Sequence, residues 1–130
     1  MKSSEVALKF VSRINLHEVD GIVSLMTRDH VFVDSLGNKF PRPLIEEGWR
    51  RYFESVPDYR IKVDLKLEKG NHVAIFGTVS GTYVSEGAPK AANKWETPAA
   101  WRVVTSGGRV SEWQVYSDNE PIRAKMRGDK

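Results

Sequence analysis

Apolar side chains return every three to four positions up to Pro57 and alternate with polar ones beyond it. Val6, Ala7, Phe10, Val11 and Ile14 form one stripe behind Ser3 or Ser4 as a cap, which predicts a first helix with a single buried face. A second, short helix carries Val19, Ile22, Val23 and Met26, with Glu18 and Asp20 near its positive N-terminal end. His30 to Asp34 reads as a strand around Val31-Phe32-Val33, followed by the turn-like Leu36-Gly37-Asn38. Pro41 and Pro43 lead into a third helix with Ile45, Gly48, Trp49, Tyr52, Phe53 and Val56 on one face, and Pro57 ends it.

From there the period is two. Tyr59, Ile61, Val63, Leu65 and Leu67 alternate with Arg60, Lys62, Asp64, Lys66 and Glu68, the clearest strand in the chain. Gly70-Asn71 predicts a tight turn into a strand from His72 to Tyr83, whose Val73-Ala74-Ile75-Phe76 is apolar on both faces and so belongs inside the sheet. Ser85 to Asn93, with Gly87 and Pro89, reads as a long hairpin loop and a candidate lid. Trp95 to Thr105 and Val110 to Asp118 are the last strands, joined at Ser106-Gly107-Gly108, before a short helix near Asn119-Glu120-Pro121. This order predicts one α+β domain over residues 1–130. A curved antiparallel sheet wraps around three N-terminal helices, leaving a cone whose mouth can hold a ligand.

Composition narrows the chemistry more than it names it. With 40% hydrophobic and 28% charged residues the chain can bury a real core, and the absence of cysteine removes disulfides, thiolate nucleophiles and Cys-ligated metals. The net charge of +3 sits partly in the tail residues Arg123, Lys125, Arg127 and Lys130, with no stripe of basic and stacking side chains elsewhere, so nucleic acid is not an expected partner. No stretch approaches the ~18 apolar residues of a membrane span and the start has no signal-like run, so the expected location is cytoplasmic, off the membrane. His17, His30 and His72 lie on different elements without metal-ligand spacing, and neither a metal nor a cofactor is expected. Gly107-Gly108 is a turn with no helix N-terminus behind it, and no serine sits in a nucleophile elbow.

Asp34 is the residue with chemical promise. In an apolar cup its carboxyl would be pushed upward and poised for proton transfer; as a strand-ending Asp it would instead accept turn hydrogen bonds from the Leu36 or Gly37 amides. His30 shares its face by alternation and could assist it, although a place at the strand entrance suits a partly exposed structural His. Of the four tryptophans, Trp49, Trp95, Trp101 and Trp113, the pair Trp101 and Trp113 stands on the inward phase of its strands and is placed at the cavity.

The runs Val31-Phe32-Val33-Asp34-Ser35-Leu36-Gly37, Trp95 to Arg102 and Gly108 to Tyr116 carry a resemblance to the nuclear transport factor 2-like superfamily, in its SnoaL-like and ketosteroid-isomerase-like branch. It spans Glu5 to Met126. It implies a pocket walled by Phe10, Phe32, Trp49, Ala99, Trp101, Trp113 and Val115, with His30 and Ser117 beside it, taking a small, largely apolar, cyclic molecule. Asp34 falls at the family's proton-moving aspartate, so an enzyme of this kind would be an isomerase, cyclase or lyase acting next to a carbonyl. The isomerases' oxyanion donors, however, correspond to Phe10 and Ala99, which donate nothing, and losing one such donor costs about 2.7–4 kcal/mol. Steroid isomerisation by the family mechanism is therefore not expected. The epoxide hydrolase pattern is missing at Thr97, Ala99 and Val115, and Asp118, near the late-strand acid of the cyclases, falls by period two on the face opposite Trp113, Val115 and Ser117 unless a bulge intervenes. Family members often pair through the outer sheet face, here Arg102, Val104, Gln114 and Tyr116, so a homodimer is expected. A non-catalytic binding module remains the alternative, because this fold hosts many functions.

Overall fold

The α1 stripe is the surface around which the sheet closes. In a computed structural model that describes residues 1–84 and 90–128, α1 (Ser3–Asn15) and α2 (Val19–Ser24) precede β1 (Met26–Val33), β2 (Lys39–Pro41) and α3 (Arg42–Ser55). Then come β3 (Arg60–Lys69), β4 (His72–Thr82), a 3-10 turn (Ala91–Asn93), β5 (Lys94–Ser106), β6 (Arg109–Ser117) and α4 (Glu120–Met126). The strands form one curved, open sheet in the order β2-β1-β6-β5-β4-β3. This is the expected α+β cone. One pairing is not antiparallel, because β1 runs parallel to β6; α3 and the meander between them supply the long crossover that a parallel pair requires.

Several local expectations shift for physical reasons. Met26 belongs to β1 and not to α2: Val110 donates its N–H to the Leu25 carbonyl at 2.7 Å, and Met26 is paired with Val110. Neither Ser3 nor Ser4 caps α1 through its side chain; the Ser3 hydroxyl reaches Thr105 Oγ1 at 2.8 Å, tying the helix start to β5. The alternation of β3 is unbroken in sequence but broken in space. Val63 pairs with Gly77 and Leu65 with Phe76, so Asp64 is a bulge, and the phase flips there, leaving Leu65 and Leu67 exposed on the outer face. A Cβ at Gly77 would lie 1.9 Å from the Lys62 carbonyl oxygen, so only glycine permits this close crossing of β4 beneath β3.

The helices are pinned where they meet the sheet. Asn15 Nδ2 donates to the Ile61 carbonyl and Ile61 N–H to Asn15 Oδ1, at 2.9 and 2.7 Å, which covers part of the β3 edge. His17, in the left-handed region at φ 56°, stacks on Phe53 at 4.1 Å and donates through Nε2 to the Tyr59 carbonyl at 2.8 Å. These contacts fix the α3–β3 connection from which Tyr59 projects. Most of the predicted lid, residues 85–89, lies outside the described residues. No helix among the described residues is long and apolar enough to cross a membrane.

Candidate functional site

Alternation along β5 turns Trp95, Thr97, Ala99 and Trp101 toward the concave side of the sheet, and β6 contributes Trp113, Val115 and Ser117 there. Because α3 crosses that concavity without filling it, a cavity of about 380 Å³ remains, at the small end of the roughly 300–1,000 Å³ of small-molecule sites. Trp49, Tyr52 and Ile45 wall it from α3, Tyr59 from the α3–β3 connection, and Ile122 from α4. Gly48 also faces it, and a Cβ built there meets nothing within 4 Å. Asp34, Ser35, Asp118 and Asn119 stand together at one corner, and among the described residues no lysine or arginine lines the cavity.

Of the residues singled out from the sequence, Asp34, Phe32, Trp49, Trp101, Trp113, Val115 and Ser117 are on this wall. Phe10, His30 and Ala99 are not. Phe10 is 1% exposed and packs on Trp113 at 5.0 Å between ring centroids, so it lies behind the wall. His30 is equally buried, because β1 begins four residues before it and makes it an interior position in place of the exposed entrance. Its Nδ1 donates to the Val110 carbonyl at 2.7 Å, and desolvation by burial holds its pKa below the ordinary histidine value. It points to no acid-base partnership with Asp34.

The Asp34 carboxylate sits in its own turn. Oδ1 accepts the Leu36 and Asn38 amides, each at 2.9 Å, and Oδ2 accepts Asn38 Nδ2 at 3.1 Å. Desolvation alone would raise its pKa, but the Asn38 and Leu36 hydrogen bonds, with help from the Arg123 charge, outweigh it and hold the group below the usual aspartate value. The expectation of a raised pKa is thus overturned: too little water is excluded to offset three N–H donors. Asp118 reaches the same corner, contrary to the period-two count, because β6 has ended at Ser117 and alternation no longer applies. Its Oδ1 accepts the Glu120 amide at 2.9 Å at the start of α4. Between the two acids, Ser35, Ser117 and Asn119 form a loose triangle with all three separations at 3.4 Å. Among the described residues no cluster of His, Cys, Asp or Glu has the arrangement of a metal site.

Six polar wall residues were missed from the sequence: Ser35 and Asn119 at the corner, and Tyr52, Tyr59, Trp95 and Thr97 on the aromatic side. The signal was present for three. Tyr52 lies one turn from Trp49 on the same α3 face, and Trp95 and Thr97 share the phase of Trp101. Burial pushes the phenols of Tyr52 and Tyr59 upward, so both stay protonated well beyond neutral pH.

The family model of the SnoaL-like domain matches residues 7–113. No curated protein matches the sequence at a significant level. Among solved structures, IdmH of Streptomyces antibioticus, a candidate polyketide cyclase, is 19% identical with a TM-score of 0.81, over 98% of this chain and 99% of that one. A candidate SnoaL-like polyketide cyclase of Shewanella denitrificans is 15% identical with a TM-score of 0.82, over 98% of each chain. A ketosteroid isomerase-like protein of Catenulispora acidiphila, solved with trimethylamine, is 17% identical with a TM-score of 0.78, over 97% and 94%. At these identities the likeness is one of fold.

Proposed function

The chain belongs to the SnoaL-like family, and on that footing we propose that it is a pocket protein for a small, largely apolar, cyclic molecule. The observation that carries the reading is the aromatic cavity itself, about 380 Å³ of space walled by Trp49, Tyr52, Tyr59, Trp95, Trp101 and Trp113. Apolar area withdrawn from water inside such a wall supplies the affinity, at roughly 25 cal/mol per Å² before the costs of association. Binding takes precedence over catalysis here because the only acid-base candidate of the sequence, Asp34, is held ionised by its own turn and has a weak pull on protons. Proton transfer by Asp34 next to a ligand carbonyl stays as the second reading, supported by its place on the cavity wall.

Tryptophan fluorescence titrated with tetralin, an apolar bicycle, tests the first reading. Saturable binding by the wild type that disappears in Gly48→Phe, whose ring would occupy the open space beside α3, is the expected result. Equal binding by both proteins would place the molecule elsewhere.

We also propose a homodimer through the outer sheet face. Leu65, Phe76, Ala100 and Tyr116 are paired in succession across β3, β4, β5 and β6, a continuous apolar row, and Leu65, Phe76 and Tyr116 are each between 44% and 51% exposed. Arg102 beside it is ion-paired with Glu112 at 2.8 Å, a polar flank of the kind that rims an interface. Light scattering at micromolar concentration should give the mass of two chains, and Phe76→Lys the mass of one; a monomeric wild type removes the proposal.

A further inference from the structure

Buried polar groups are nearly always hydrogen-bonded, so those that are not deserve an explanation by what they face. Three threonines are buried here. Thr82 Oγ1 donates to Asp58 Oδ2 at 2.7 Å and Thr105 Oγ1 bonds Ser3 Oγ at 2.8 Å. The hydroxyl of Thr97 has no partner among the described residues, and Thr97 is the one of the three on the cavity wall. Two residues earlier on that face the case is stronger: Trp95 is 6% exposed, and its indole Nε1–H is one of two buried side-chain donors without a partner among the described residues, the other, Arg42 Nε, belonging to a residue that does not line the cavity. Tyr59, fully packed and 6.4 Å from Trp95 between ring centroids, and Tyr52, 5.0 Å from Tyr59, also leave their hydroxyls unpartnered among the described residues. Four neighbouring side chains with unused donors therefore line one side of one cavity.

Resting on the reading of this cavity as a ligand pocket, we propose that Tyr52, Tyr59, Trp95 and Thr97 form a polar subsite that receives the oxygen of a neutral carbonyl group on a cyclic ligand. The indole N–H can only donate, so the ligand must bring an acceptor. A carboxylate or phosphate would arrive as a charge in an aromatic chamber that no lysine or arginine lines among the described residues, at a desolvation cost these neutral donors do not offset. A ketone or ester oxygen needs only hydrogen bonds, which the Trp95 indole and the hydroxyls beside it can donate.

The test compares α-tetralone with tetralin and with 1-naphthoate by tryptophan fluorescence, and follows the tetralone C=O stretch by infrared difference spectroscopy. Tetralin is the more hydrophobic of the first two, so a site without unpartnered donors would hold it tighter. The expected result is tetralone binding about tenfold tighter than tetralin, the yield of one or two well-made hydrogen bonds, with its C=O stretch moved to lower wavenumber on binding. Thr97→Val, which keeps shape, and Tyr59→Phe, which keeps the ring, should each cut the ratio of tetralone to tetralin affinity several-fold and move the stretch back. If tetralone and tetralin bind alike, or the stretch does not move, the subsite is refuted and the apolar pocket stands. Tighter binding of 1-naphthoate would refute the preference for a neutral acceptor. If none of the three binds, the pocket reading fails and takes the subsite with it.

Discussion

Two aromatic regions share the concave side of the sheet, and they have opposite fates. Under α1, Phe10 and His30 are each 1% exposed, Phe10 lies in tilted contact with His30 and with the back of Trp113, and the His30 ring is satisfied by the Val110 carbonyl. Under α3, Trp49, Tyr52, Tyr59 and Trp95 are as rich in rings, yet a cavity opens beside them and the buried Trp95 Nε1–H has no partner among the described residues. The difference is in part a missing side chain. Where α1 sets Ala7 and Phe10 against the sheet, α3 presents Gly48 to open space. Aromatic content alone does not distinguish core from pocket; closure of the packing does.

That contrast can be broken by mutation. Phe10→Ala should cost the fold about 3–5 kcal/mol, the range for emptying a well-packed aromatic site, whereas Trp49→Ala, with one side already facing the cavity, should cost roughly half as much. Urea unfolding of both variants gives the comparison; equal losses would mean that the α3 region is as closed as the other. The next effect is one of pH. Because the pKa of His30 is lowered in the fold, the unfolded chain takes up the proton first, so stability is complete above the unfolded value near 6.5 and declines as pH falls below it. The slope from this one group is at most about 1.4 kcal/mol per pH unit. His30→Gln, which can still donate to Val110 but cannot titrate, should flatten the stability profile between pH 6.5 and the lowered value.

Smaller still is the effect of filling the open region. Gly48→Phe should leave stability unchanged or raise it by up to about 0.5–1 kcal/mol through helix propensity, an outcome possible only where a ring finds room. A loss of more than that would show the cavity to be narrower than described. Last comes Asp34. An NMR carboxylate titration should give a midpoint below that of an ordinary aspartate, with Asp34→Asn assigning the signal. Since that pKa is depressed, its contribution to stability is present above the unfolded value and is lost as pH falls through the folded one, and it is small because the group is solvent-screened.

The sequence made the scaffold legible because periodicity survives in it: the α1 stripe, the Pro57 break and the change to period two all translate into elements at nearly the expected places. It was less informative where one residue changes a phase. The Asp64 bulge that turns Leu65 and Leu67 outward leaves the alternation of β3 intact to the eye, and the start of β1 at Met26 depends on the partner strand β6, more than eighty residues away. The site was legible as a family outline only. Trp49, Trp101 and Trp113 could be placed from period and resemblance, but that Phe10 lies behind the wall is a consequence of packing. The deficit at Thr97 and Trp95 is invisible until the partners of every other buried polar group are known.

The most direct test is a crystal structure of the protein grown with saturating tetralin. The account predicts the bicycle between Trp49 and Trp101, with Phe10 and His30 unmoved and the outer face unoccupied. A cavity that holds only water at saturation, or a ligand bound beneath α1 or on the outer sheet face, would contradict it.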